Sequence, residues 1–136
     1  MRRIGRLVLI ALVIAAVVFG FGYAWGVSGR YTLQSALDES QQRLDIAEAR
    51  AEVLDARVSL YNMNFGDASG RMEGAKDPLR RMRQRYADDG KTDAARSIAA
   101  AIEHVEEAQR LAGKLDQAAN SKTGEALEAI KVATSK

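Results

Sequence analysis

The only histidine, His104, is the first residue to consider for chemistry, and the chain has no cysteine at all. Disulfides, thiolate catalysis and cysteine-ligated metal sites are therefore excluded. A helical metal site would need a second strong ligand four residues after His104, where Ala108 stands. The acids Glu103, Glu106 and Glu107 lie on a solvated helix face, without the buried cleft that separates the pKa values of catalytic carboxylates. The sequence predicts no enzyme, no metal site and no cofactor.

A second candidate is a cluster of cations, called the basic run here. Its members are Lys76, Arg80, Arg81, Arg83 and Arg85. Such a run suits anionic lipid headgroups or anionic polymers. A solvated helix face opposite an acidic helix accounts for it as well. The formal net charge of +2 is too small to indicate a nucleic-acid partner.

The apolar residues are concentrated near the N-terminus, where residues 7–29 contain no charged side chain and follow Arg2, Arg3 and Arg6. A helix of this length reaches about 34 Å, which exceeds a hydrocarbon core of about 30 Å. The excess of arginine before the segment places its N-terminal end in the cytoplasm. We therefore expect membrane lipid to be one partner of the chain.

This interpretation divides the chain into a basic cytoplasmic tail (1–6), a transmembrane helix (7–29) and an extracytoplasmic domain (30–136), which is periplasmic in a Gram-negative cell. A cleaved signal peptide is the alternative, because Gly22 and Ala24 supply small residues for processing. That alternative gives a secreted helical domain.

Small residues recur at close helical spacing inside this segment. They are Ala16, Gly20, Gly22, Ala24 and Gly26. Such spacing permits close approach of two helices in lipid, although glycine and alanine are also common in membrane helices generally. We expect these residues to contribute to helix packing in the membrane.

The next element is a long amphipathic helix, expected over residues 33–63. Its apolar residues follow a heptad pattern, called the heptad stripe here, interrupted only by Ser40. The stripe consists of Leu37, Leu44, Ala47, Ala51, Leu54, Val58 and Tyr61. Ile46, Val53 and Leu60 form a second apolar flank. The pattern fits an intermolecular coiled coil and packing within a bundle equally well.

Three further helices are expected, at about 68–87, 92–119 and 122–134, with Asp67 capping the first of them. Asp77-Pro78 predicts a kink or restart within that helix. Nothing after residue 30 alternates with period two, so strands are not expected. The fold class is therefore all-α, with helical hairpins forming a small bundle.

Charge is segregated along the chain. Residues 37–70 carry seven acids and three bases, and residues 71–91 carry seven bases and four acids. If the first two helices after the apolar segment form a hairpin, acidic and basic surfaces face each other. Exposed pairs of this kind orient helices more than they stabilise them.

Two segments resemble the helix–turn–helix unit of tetratricopeptide repeats. One runs from Ala56 to Tyr61 and on through Asn64 to Ala68, and the other places Ala108, Leu111 and Leu115 before Ala126-Leu127. The chain lacks that family's tryptophan-type start, its closing proline in register and its 34-residue period. The resemblance implies a helical-hairpin module for protein binding, in the layout of a membrane-anchored bacterial envelope accessory protein.

These patterns together predict a membrane-tethered interaction or scaffold protein. Its partner is another protein or a second copy of itself, bound through amphipathic helices. No small-molecule substrate is expected. The alternative function is a domain that binds an anionic surface through the basic run.

Overall fold

The computed structural model describes residues 33–135. The chain divides into two compact units after Ser40, so residues 33–40 belong to the first unit and residues 41–135 to the second. In the first unit, residues 33–40 are helical and exposed. The expected transmembrane segment at 7–29, with its small packing residues, lies outside the described residues. Between residues 33 and 135, no helix is both long enough and apolar enough to cross a membrane.

The described part of the chain contains four helices and no strand, which confirms the all-α prediction. The helices are α1 (residues 33–61), α2 (Phe65–Asp88), α3 (Thr92–Ala112) and α4 (Ala119–Thr134). Short turns join them, so consecutive helices run antiparallel.

Contacts between the first and last helices close the second unit into a bundle. The Arg50 guanidinium donates to the Thr134 hydroxyl (2.8 Å), and Arg57 Nε donates to Asn120 Oδ1 (3.1 Å). Because the earlier arginine contacts the end of α4 and the later one its beginning, α1 and α4 are antiparallel. Helix α3 packs against both α2 and α4. The second unit is thus an antiparallel four-helix bundle. This confirms the small bundle expected from the sequence and shows that α1 packs within it, which the heptad pattern left open.

The core of this bundle is built largely from alanine. Half of the buried apolar residues between positions 41 and 135 are alanine, and the largest fully buried side chains are Met72, Leu79, Met82, Ile98 and Ile130. Small side chains at helix contacts let the backbones approach closely. The core is consequently thin and leaves little room for a large apolar residue at most positions.

The turn between α1 and α2 differs from the prediction. Helix α2 begins at Phe65, because Asn64 rather than Asp67 is its N-cap, and Asn64 Oδ1 accepts from the backbone N–H of Asp67 at 3.2 Å. Met63 supplies the left-handed residue of the turn, with φ of 58°. Gly66 lies inside the helix.

Helix α2 continues through Asp77-Pro78, so the helix does not restart there. Pro78 lies inside the helix and is fully buried. Its missing N–H removes one backbone hydrogen bond, and burial of its ring in the core offsets that loss. The helix instead ends at Asp88, before Gly90 with φ of 71°.

The third and fourth helices also have different bounds from those expected. Helix α3 ends at Ala112 rather than near residue 119, and α4 begins at Ala119 rather than 122. Leu115 takes a left-handed conformation with φ of 58°, which a helix cannot accommodate. The carboxylate of Asp116 then accepts from the Ala118 N–H at 2.9 Å and shapes the turn.

Candidate interaction surface

One face of α1 packs into the bundle core. Ala49, Val53, Ala56 and Leu60 are each at most 4% exposed, and Ile46 packs partly buried against them. Their spacing of four, three and four residues puts them on one side of a helix. The second flank predicted from the sequence is therefore the side of α1 that faces its own bundle.

The heptad stripe lies on the opposite side and is exposed. Within the second unit, its large members are Leu44 (59% exposed), Leu54 (49%), Val58 (57%) and Tyr61 (68%). Ala47 and Ala51 between them are exposed as well. In the first unit, Leu37 is 69% exposed. On an ideal helix, the centre of the stripe lies about 170° from the centre of the buried face.

The other large exposed apolar residues of the second unit lie outside α1, and one of them, Met63, lines a small cleft with Tyr61 at the end of the stripe. Met63 and Leu115 lie in turns and Val132 lies on α4. Single exposed apolar side chains are ordinary on protein surfaces, whereas a contiguous row marks an interaction site. The stripe is such a row, and it is the strongest candidate for a functional surface in the described part of the chain.

An acidic edge, defined by Glu48 and Asp55, borders the stripe on the side of α2. The Arg81 guanidinium lies 3.0 Å from the Glu48 carboxylate, and the Arg71 guanidinium lies 3.6 Å from that of Asp55. All four side chains are between 43% and 57% exposed. These ion pairs therefore orient α2 more than they stabilise the bundle.

A basic edge, defined by Arg50 and Arg57, borders the stripe on the side of α4. The partners of these arginines on α4 are a hydroxyl and an amide, both neutral. The Arg57 guanidinium also lies 5.9 Å from the centre of the Tyr61 ring. Among the described residues, neither arginine has a carboxylate within ion-pair distance.

Beneath this surface, a buried carboxylate joins α1 to α2. Asp45 is fully buried, and its two oxygens accept from Arg81 (2.9 Å) and Arg85 (3.0 Å). Burial raises the pKa of the Asp45 carboxyl, but hydrogen bonds from these arginines and from Gln41 outweigh it, so the pKa lies below its ordinary value. The facing acidic and basic surfaces expected from the charge segregation are present here.

The structure divides the basic run between several local contacts. Arg81 and Arg85 are held by Asp45. Lys76 pairs with Glu73 one turn earlier at 2.7 Å, and Arg80 pairs with Asp77 at 3.4 Å. Four of the five cations thus pair with carboxylates of the bundle, and Arg83 is exposed on α2. The geometry of the four paired cations does not favour an anionic-surface site over local pairing.

His104 takes part in a small surface network. Its Nδ1 lies 3.2 Å from the Glu125 carboxylate, which also binds Lys122 Nζ at 2.7 Å. The hydrogen bond from Lys122 holds the pKa of Glu125 below its ordinary value. No group of three or more potential metal ligands occurs within residues 33–135.

A cleft of about 480 Å³ lies at the end of the bundle where α2 ends and α3 begins. Tyr86 lines it, together with two charged residues that already have partners. Lys91 pairs with Asp89 at 3.3 Å, and Asp93 pairs with Arg96 at 3.4 Å. The cleft shows no convergent set of groups that would define a ligand.

No family model matches the chain. Comparisons with curated proteins and with solved structures give no match either. Both segments that resemble tetratricopeptide repeats fall at helix–turn–helix junctions, α1 to α2 and α3 to α4, as they would in any helical hairpin. That resemblance stays a prediction.

Proposed function

We propose that this chain is a membrane-tethered interaction protein that offers the heptad stripe of α1 to a protein partner. The observation that carries the proposal is the exposure of Leu44, Leu54, Val58 and Tyr61 in one row on a folded bundle. Leaving this row in water forgoes about 25 cal/mol for each Å² of apolar area that a partner would cover. The simplest partner is a helix with an apolar row of its own, which would bury the stripe.

The tether is supported by the sequence of residues 7–29. This uncharged segment follows three arginines, and that asymmetry favours a cytoplasmic N-terminus with the bundle on the other side of the membrane. In the sequence, Leu37 follows the segment closely, so the stripe begins soon after the proposed membrane exit. A tether of this kind restricts the partner to proteins at the same membrane.

Site-directed photo-crosslinking in cells tests the interaction. A photoreactive residue at Leu54 should capture a protein partner, whereas the same residue at Glu103, exposed on α3, should capture much less. Equal capture at both positions, or none at Leu54, would contradict the proposal. The comparison uses two exposed helical positions of one bundle, so folding and expression are matched.

Alkaline carbonate extraction of membranes, followed by the intact mass of the recovered protein, tests the tether separately. We expect the full-length chain to stay in the membrane fraction, since an uncharged helix of this length inserts stably. A shortened, soluble product beginning near Trp25 would disprove the tether. The proposal that the stripe binds a protein partner does not depend on this result.

A further inference from the structure

We propose that the stripe is covered by a second copy of the same chain, in a parallel, in-register, two-stranded coiled coil of α1. The inference rests on the proposed interaction function and names its partner. Three features of α1 carry it: an apolar heptad pattern without interruption from Leu44 to Tyr61, the placement of charges beside that pattern, and the neutral partners of the basic edge.

The register of the stripe is that of a coiled coil. Leu44, Ala51 and Val58 occupy a positions, and Ala47, Leu54 and Tyr61 occupy d positions, with no skip across the exposed face. In the sequence the same spacing continues upstream through Ser40 and Leu37 to Leu33, and all three residues are exposed. The c and f positions, which face water in an ordinary coiled coil, are here the residues buried in the bundle.

The charges beside the stripe are sorted by heptad position. Arg43, Arg50 and Arg57 occupy the three g positions, and Glu48 and Asp55 occupy e positions. In a parallel, in-register pair, each g residue meets the e residue five positions later on the other helix. By that rule, Arg43 of one copy pairs with Glu48 of the other, and Arg50 pairs with Asp55. Each pair forms twice because the two helices are related by symmetry.

An antiparallel pair would place like charges together. In that orientation, g positions meet g positions and e positions meet e positions. Arginine would then face arginine along one side of the interface, and Glu48 and Asp55 would face each other along the other. The charge pattern of α1 therefore selects the parallel orientation.

The contacts of the basic edge leave its charge available for this pairing. Arg50 and Arg57 donate to a hydroxyl and an amide of α4, and neither forms an ion pair with a described residue. On the acidic edge, Asp55 is 57% exposed and its distance to Arg71 is 3.6 Å, long for a hydrogen-bonded pair. A second guanidinium can approach the Asp55 carboxylate without displacing the first.

The parallel orientation also agrees with the proposed tether. Both N-terminal apolar segments would lie at the same end of the pair, as two chains in one membrane require. The small residues of that segment, including Ala16 and Gly20, are spaced for close helix approach. The agreement with the membrane depends on the tether, whereas the charges beside the stripe favour the parallel orientation with or without it.

Cysteine crosslinking of the full-length chain in cells tests the proposal, since the natural sequence has no cysteine. Leu44→Cys, Ala51→Cys and Tyr61→Cys each place one thiol on the stripe, and Val132→Cys is the matched exposed apolar control on α4. Leu44 and Tyr61 are about 25 Å apart along the helix. Mild oxidation should give disulfide-linked homodimers at all three stripe positions, severalfold above the control.

Each other outcome overturns the proposal. Crosslinking at Ala51 alone would show an antiparallel pair, because only a central residue then meets its own copy. Equal crosslinking at Val132 would show random collision. No stripe homodimer, together with photo-capture of a different protein at Leu54, would refute self-pairing while leaving the proposed function standing. Absence of both products would refute both.

A charge exchange gives a second, independent test in the Ala51→Cys background. Arg50→Glu alone and Asp55→Arg alone each place like charges across the parallel interface, so the homodimer yield should fall severalfold. Coexpression of the two variants should restore the crosslink as a heterodimer. Unchanged yield in the single variants, or no restoration on mixing, would contradict the parallel register. Helical circular dichroism of both variants checks that the bundle is retained.

Discussion

Helix α1 has two apolar faces, and only one of them is buried by its own bundle. The buried face combines Ala49 and Ala56 with Val53 and Leu60, whereas the exposed face carries Leu44, Leu54, Val58 and Tyr61. The exposed face also contains Ala47 and Ala51, and Ile46 packs against the core beside the buried face, so each face combines two alanines with larger apolar side chains. Apolar content alone does not decide which face of a helix is buried.

Two leucines on α1 give the sharpest test of this difference. Leu60 is 4% exposed and packs in the core, whereas Leu54 is 49% exposed. We expect Leu60→Ala to lower the free energy of unfolding by about 3 kcal/mol, through lost burial and the cavity left behind. Denaturant unfolding of the full chain, followed by circular dichroism, measures this. A cost below that of Leu54→Ala would mean that the two faces are assigned the wrong way round.

The buried carboxylate on the inner side of α1 should show the next largest effect. Asp45→Asn removes the charge that holds Arg81 and Arg85, and we expect a loss of about 2 kcal/mol. The value is below that of a fully buried pair, because the Arg81 side chain is 46% exposed. Asp77→Asn is the control, since Asp77 is 76% exposed and its pair with Arg80 should contribute below about 0.5 kcal/mol.

The lowered pKa of Asp45 predicts how the stability of the bundle depends on pH. The pKa of Asp45 is lowered in the folded state, so its contribution is fully present above the unfolded pKa of about 3.9 and is lost as the pH falls through the folded value. The stability difference between the natural chain and Asp45→Asn should therefore shrink as the pH falls below about 4. A difference that stayed constant from pH 7 to pH 2 would show that the asparagine acts by packing and not by charge.

Much of this architecture followed from the sequence, but the orientation of α1 did not. Heptad spacing predicted both apolar rows, and the acidic and basic blocks were expected to face each other if α1 and α2 formed a hairpin, as Asp45 and Arg81 do. Both rows satisfy helical periodicity, so periodicity could not say which one the bundle buries. That choice depends on how α1 packs against α2 and α4, whose residues are far away in sequence.

The turns were less predictable for a local reason. Met63 and Leu115 adopt positive φ, a conformation rare for residues with large side chains. Sequence patterns assign such positions to glycine or asparagine, and so the helix ends near them were misplaced. The stripe, in contrast, follows from helical spacing alone, because its members repeat with the period of a coiled coil.

A smaller effect is expected from the exposed row itself. Leu54→Ala should cost below about 1 kcal/mol in a single bundle, because half of the side chain already lies in water. If the stripe pairs with a second copy, the cost should grow with protein concentration, whereas the cost of Leu60→Ala should not. Unfolding measured across a hundredfold concentration range separates these cases, and the same concentration dependence in both variants would argue against a second copy at the stripe.

The smallest effect extends the comparison from α1 to α2, where two glycines one helical turn apart have different surroundings. A Cβ at Gly70 would meet nothing within 4 Å, whereas one at Gly74 would lie 3.3 Å from the Glu52 side chain of α1. Alanine lowers the backbone entropy of the unfolded chain and favours helix, so Gly70→Ala should stabilise the bundle by about 0.5 kcal/mol. Gly74→Ala gains the same propensity but must displace a carboxylate that lies 3.7 Å from Arg71. Its net gain should therefore be smaller, and a larger gain at Gly74 than at Gly70 in thermal unfolding would mean that α1 and α2 are packed less closely there than the structure has them.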